Sequence, residues 1–391
     1  MRTIVANATP QEVSHASSGP VAWDVAVHGV LAGAPWAAME VRLLDRRLPT
    51  RAAGGVMERV RKRRSASSPS KREPPPGSRP GMPGDLSKKV PESRQGSGSG
   101  LADRVGGLAR LAAQVDLAWL PPGVDVLYSH LRYLKALPRQ LPLVWSTNGV
   151  IPEIWNWRSE PEQDRVRKSH SALQRSLALR ADKVICWTEY GADHLARTGV
   201  PEQRIAVVPP MIGIPPSADA TDAPLGRQIT SGLVALHVGS WGWLKGLPEA
   251  LAAVSRVENI ELHVVGHPAP DRVPPRTVWH GALSPDRVGA LLESADILLM
   301  PSRYETFGAC YLEAMAAGVA VVGSRIGTVA EIVGDSGILV DPGDIEGLVE
   351  VLEWLASDTR ALAELKARGR ERYERCFRPA VLLPRWEEVF S

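Results

Sequence analysis

Apolar residues recur along this chain in short continuous runs separated by amphipathic stretches. Residues 2–8 (RTIVANA) predict a strand, the loop from Ser14 to Gly19 a turn, and VAWDVAVHGVL a helix. Residues 38–45 predict a second strand, giving the strand–loop–helix–strand opening of a parallel sheet. The rhythm resumes with a helix from residue 101 and strands over 124–131 and 141–149. A charged amphipathic helix over 161–181, a strand over 182–188, a helix to Leu195 and a strand over 204–210 follow. A Pro/Gly/Ser-rich stretch, 209–232, reads as a linker. Beyond it, strands are expected over 233–239, 260–266, 295–301 and 319–324 and at GILVD. Helices are expected over 246–257, 285–294, 307–317, 344–354 and 360–374 and at VAEIV. Two doubly wound α/β sheets in tandem would leave a cleft at the ends of their parallel strands, where such sheets bind ligands.

Residues 51–100 interrupt the pattern. They are rich in Arg, Ser, Pro and Gly, nearly without large apolar side chains, and read as a disordered insertion in the first domain. The GSGSG at 96–100 fits a linker better than a dinucleotide fingerprint, because no strand precedes it. The insertion also skews the charge. Residues 1–212 carry 30 Lys/Arg against 19 Asp/Glu, the remainder 16 against 24. A chain half acidic is not a dedicated nucleic-acid binder. The basic stretch is either a solvated loop or an arm for anionic lipid. No apolar run is long enough to span a membrane, and the start lacks the apolar stretch of a secretory signal. Three scattered cysteines give no disulfide framework. A cytoplasmic protein, at most peripheral at the inner face of a membrane, is expected.

The densest chemistry lies in residues 295–327. An apolar strand ends at Pro301, Glu305 follows, and Gly308 opens a helix. Amides near Thr306, Phe307 and Gly308 would form an anion site at the helix start. Glu313 comes eight residues after Glu305; were all eight helical, the carboxylates would stand roughly 12 Å apart. That is the scale of a nucleoside diphosphate sugar, with hydroxyls at both ends and a pyrophosphate between.

The E-x(7)-E spacing of Glu305 and Glu313, within MPSRYETFG and LEAMAAGVAVV, closely resembles the retaining nucleotide-sugar glycosyltransferases of family four (glycosyl transferases group 1). The resemblance is specific over 232–344, weaker over 2–50 and 101–212, and absent from the insertion. It implies a GT-B fold: an acceptor-side Rossmann-like domain over 1–212, a nucleotide-sugar domain over 213–376, and a segment, 377–391, packing back on the first. It gives Glu305 the donor sugar and Glu313 the ribose. HVGSWGWLKG (237–246) is similar to the family's G-R-L-x-x-x-K-G stretch, so Gly239 would approach the donor and Lys245 would hold the diphosphate, unless it is merely structural. Ser240 stands where the family has arginine; Arg303 is a candidate substitute or a structural residue. Asn148, in WSTNG, replaces a histidine near the sugar, or simply makes an Asn-Gly turn. A third departure is Pro210-Met211, in VPPMIG, where the family often has Pro-Asn-Gly. Gly19 would belong to a weakened glycine-rich loop facing the phosphates. Trp155 and Trp157 are either an acceptor platform or core residues.

The resemblance implies transfer with retention to an acceptor hydroxyl. The acceptor would be a sugar, a lipid-linked molecule or a small metabolite. No metal or cofactor is expected beyond the nucleotide sugar, since the chain has no DxD, HExxH, Walker loop or histidine array. A non-catalytic partner subunit and a GT-B sugar-nucleotide epimerase remain open alternatives.

Overall fold

The computed structural model describes residues 2–6, 39–43, 126–130, 142–147, 174–212, 232–239 and 242–391. The insertion at 51–100 lies outside them. Among the described residues there are two six-stranded sheets, and every strand pair in them is parallel.

The first sheet comprises β1 (Arg2–Ala6), β2 (Met39–Leu43), β3 (Val126–His130), β4 (Leu143–Thr147), β5 (Lys183–Cys186) and β6 (Ile205–Val207), ordered β2-β1-β3-β4-β5-β6. Between β5 and β6 lies helix α1 (Glu189–Arg197). The Thr188 hydroxyl caps α1 by accepting the Gly191 N–H.

The second sheet comprises β7 (Leu233–Val238), β8 (Ile260–Val265), β9 (Thr277–Gly281), β10 (Ile297–Met300), β11 (Ala320–Ser324) and β12 (Ile338–Val340), ordered β12-β11-β10-β7-β8-β9. Its helices are α2 (Leu247–Arg256), α3 (Pro285–Ser294), α4 (Ala309–Ala317), α5 (Gly327–Val333), α6 (Ile345–Ser357), α7 (Thr359–Cys376) and α8 (Pro379–Phe390). Strands buried on both faces read as unbroken apolar runs, which is why β10 and β11 stand out in the sequence. Their side chains alternate between two cores. Ile297 and Leu299 join the layer under α2 and α6, whereas Leu298 and Met300 join the layer under α4 and α5.

That second core continues into the first sheet through Val144, Ile185 and Trp187. It also takes in Leu382, Trp386 and Phe390 of α8. Fully buried Trp386 donates its indole N–H to the Pro209 carbonyl at 2.9 Å, and Arg385 donates to the Val207 carbonyl at 2.7 Å. Helix α8 therefore lies against the end of the first sheet.

Some elements differ from expectation, helix α8 among them, since the reading of 377–391 gave its packing and no secondary structure. Strand β9 is absent from the sequence reading; it is a part-exposed edge strand, TVWHG, following a Pro-rich stretch. Helix α4 begins at Ala309 rather than 307, because Gly308 turns the chain at φ 86° and Phe307 is drawn into the core.

Sheet order brings β7 and β10 side by side, so the loops leaving them touch. Gly246, at the N-cap of α2 with φ 74°, lies against the Pro301 carbonyl, where a Cβ would collide. Gly246→Ala combines that collision with a left-handed backbone. It is expected to cost about 2 kcal/mol or more, read as a lower urea midpoint at unchanged slope.

Candidate active site

Strands β8 and β9 intervene in the chain between β7 and β10, yet β7 and β10 pair in the sheet. This reversal of strand order opens a crevice beyond the carboxyl ends of the strands. The loop after β7 carries Gly239 and Lys245; the loop after β10 carries Arg303, Glu305, Thr306, Phe307 and Gly308.

Lys245 and Glu305 meet there, Nζ to Oε2, at 2.5 Å. The Glu305 side chain is 5% exposed and that of Lys245 is 22% exposed, so the ammonium faces the solvent side of a nearly buried carboxylate. The other carboxylate oxygen accepts the Thr306 N–H at 3.2 Å. The Glu305 backbone is fixed too, since its carbonyl accepts from the Thr328 hydroxyl at 3.0 Å. Gly308 makes room for this arrangement: a Cβ there would strike the Tyr311 ring and come within 3.0 Å of Glu305 Cγ. Phe307 sends its ring into the core, edge-on to Trp187 at 5.4 Å, so only its backbone is available to the crevice. Thr306, Phe307 and Gly308 lead into α4, whose first two amides, of Ala309 and Cys310, precede any acceptor in the helix, while the Tyr311 N–H donates to the Gly308 carbonyl at 3.0 Å.

Arg303 ties the two loops together. Its N–H donates to the Leu244 carbonyl at 2.9 Å and its guanidinium to the Trp243 carbonyl at 2.7 Å. It also forms a two-pronged pair with the buried carboxylate of Glu249 on α2, and stacks on the Trp243 ring at 4.6 Å. Partial burial lowers the guanidinium's pKa, but an arginine stays charged.

Beneath Lys245, fully buried His237 donates from Nε2 to the Lys245 carbonyl at 3.1 Å. Burial pulls its pKa down to about 3, so it is a neutral strut with its hydrogen on the nitrogen facing that carbonyl. Gly239 donates its N–H to the Val265 carbonyl at 3.0 Å, and a Cβ on it would come within 3.1 Å of the Lys245 stem.

Glu313 lies on α4, part-buried, with no ion pair or hydrogen bond among the described residues. Burial pushes its carboxyl up to about 7. Only residues 309–313 of the Glu305–Glu313 interval are helical, so the separation is not set by eight helical rises. Gly19, Asn148, Trp155, Trp157 and Ser240 lie outside the described residues. Among the described residues, no cluster of three or more His, Cys, Asp or Glu could hold a metal ion.

His237, Glu249 and Thr328 escaped the sequence reading. Only His237 left a sign, as a polar residue inside an apolar strand run. The crevice as built offers an ammonium, an oriented carboxylate and helix-opening amides within two touching loops. That set can hold an anion beside hydroxyl groups.

Residues 232–358 match the family model described as glycosyl transferases group 1, and residues 72–214 match that of glycosyltransferase family 4. The MMP alpha-(1->4)-mannosyltransferase of Mycolicibacterium hassiacum is 34% identical over 162 residues, covering 37% of this chain and 38% of that protein. The D-inositol 3-phosphate glycosyltransferase of Segniliparus rotundus is 30% identical over 221 residues, covering 50% and 48%. The chain thus spans less than half the length of either relative. Among solved structures, sucrose-phosphate synthase of Thermosynechococcus elongatus shares the fold with a TM-score of 0.66 at 17% identity, over 100% of this chain and 98% of that one. HepE of Anabaena, in complex with UDP and glucose, does so with a TM-score of 0.61 at 15% identity, over 100% and 99%. Residues 232–358 thus belong with the glycosyl transferases group 1 and residues 72–214 with glycosyltransferase family 4, and the chain has the GT-B fold.

Proposed function

We propose that this chain transfers a hexosyl group from a nucleoside diphosphate sugar to an acceptor hydroxyl, with retention of configuration and without a metal. The observation that carries this is the Lys245–Glu305 pair at the β7/β10 crevice, beside the opening amides of α4. A donor entering there would set its diphosphate against the Lys245 ammonium and the amides of residues 307 and 308. Its sugar hydroxyls would donate to Glu305, whose two oxygens are already aimed.

In the reaction, the acceptor oxygen bonds to the anomeric carbon as the bond from that carbon to the phosphate oxygen breaks on the same face. The acceptor proton passes to the leaving diphosphate. Lys245 and the amides stabilise the charge growing on that leaving group, in place before it appears. Arg303, engaged by Glu249, contributes by holding the two loops together. Glu313 would take the ribose hydroxyls, and the first domain the acceptor. The alpha linkages named for relatives such as the Mycolicibacterium enzyme fit retention from an alpha-configured donor.

Thermal shift with UDP-, GDP-, ADP- and dTDP-sugars tests the reading. At 100 times its dissociation constant the right donor adds about 2.7 kcal/mol of stability. Lys245→Ala is expected to weaken donor binding roughly 10- to 100-fold, from loss of a charge-assisted contact. Transfer should persist in EDTA, and NMR of the product should show the donor's anomeric configuration. No shift and no donor turnover with the native chain would sink the reading and leave a partner subunit in its place.

Glu313 adds a pH dependence. Ribose hydroxyls donate to the ionised carboxylate, and the carboxyl sits at about 7. Affinity for a sugar nucleotide is therefore expected to rise about tenfold from pH 6 to pH 8, and to stay flat in Glu313→Gln, measured by titration calorimetry. The same shift acts on the fold with a definite sign. Raised from 4.5, this group favours folding below that value, and the benefit is lost as pH rises through about 7. Glu313→Gln should remove about 2 kcal/mol of that decline, discounted for partial exposure.

A further inference from the structure

Helix α5 touches the site through Thr328 and the first sheet's helix α1 through Gly327 and Glu331. Thr328 donates to the Glu305 carbonyl at 3.0 Å. Three residues on, the Glu331 carboxylate reaches the start of α1: one oxygen accepts the Glu189 N–H at 2.8 Å, the other the Tyr190 N–H at 3.1 Å. With Gly191 bound to Thr188, three of the opening amides of α1 are satisfied, two of them from more than 140 residues away. A carboxylate at a helix N-terminus is favoured by the helix dipole as well as by the hydrogen bonds. The Tyr190 ring lies against Gly327, at a spot no Cβ could share. At the far end of α5, Arg372 donates to the carbonyls of Glu331 and Ile332, each at 2.7 Å, so Glu331 has a fixed base.

We propose that Glu331 is a positioning residue. Through α5 it locks α1, and with it the first domain, in register with the loop that carries Glu305. The acceptor side is thereby set over the donor sugar. This rests on the transferase reading for its effect on rate, and on the contacts alone for the joining of the two halves. The carboxylate's exposure makes it a weak contributor to overall stability, since water can replace its partners. Its two fixed acceptors make it a strong constraint on geometry.

The test compares the native chain with Glu331→Ala and the isosteric Glu331→Gln. Circular dichroism checks the fold, titration gives donor Kd, steady-state kinetics give kcat, and hydrogen exchange reads the 189–191 amides. Loss of alignment without loss of the donor site predicts a roughly tenfold lower kcat in Glu331→Ala, donor Kd within about twofold of native, and faster exchange at Glu189 and Tyr190. Glu331→Gln, with one acceptor oxygen left, should fall between. Native kcat in Glu331→Ala overturns the proposal, as does a fall in kcat matched by equal losses of donor affinity and thermal midpoint. If Glu331→Ala does not fold, the Gln variant decides by the same readings. If the native chain binds no sugar nucleotide, the transferase reading has failed separately. Exchange then decides the joining role, and unchanged protection in Glu331→Gln and Glu331→Ala overturns it.

Discussion

The Pro301 carbonyl resting on Gly246 is the constraint from which the crevice follows. Parallel strands all end on the same edge, and the reversal of order between β7 and β10 sends their loops out side by side. Only a residue without a Cβ lets them come this near. Once they do, Arg303 can reach Glu249 and Trp243, and Lys245 can reach Glu305. The charges at the site are thus distributed by backbone proximity first and by side-chain chemistry second. Glu249 would be costly to bury alone, and its guanidinium partner makes that burial tolerable while fastening the loops.

Burial sorts the ionisable groups by role. His237 is held neutral, so it can fix the Lys245 carbonyl without adding a second positive charge beneath the ammonium. Cys310 and Tyr311, packed behind Glu305, have their pKa values pushed up by burial and stay uncharged. Glu313, by contrast, is brought to the edge of neutrality. The charged groups of the two loops, among the described residues, are then Lys245, Glu305 and Arg303, the last paired with Glu249.

Much of this was legible in the sequence because it is local. Strand runs such as ILLM and AVVGS show double-sided burial directly, and the interval from Pro301 to Gly308 marks a strand end and a helix start within eight residues. What could not be read is long-range or marginal. The Arg303–Glu249 pair joins positions 54 apart, and Glu249 looks like any acid in a first helical turn. Glu331 finds its partners 142 and 141 residues back. Strand β9 takes only half of its character from its own residues; the rest comes from pairing with β8, and Trp279 is held by the His267 carbonyl. The start of α4 moved because core packing of Phe307 outweighed its helical spacing.

The bond from Trp386 to the Pro209 carbonyl spans 177 residues. At about 5–20 residues per second, the ribosome takes roughly 10–35 s to supply the tryptophan after the proline. During that interval the end of the first sheet has no α8 to cover Val208 and Met211, both of which are buried in the finished protein. The residues of the first sheet are therefore all synthesised before the helix that covers their end. The interval between them is when the sheet's apolar edge is open to chaperones or to other nascent chains.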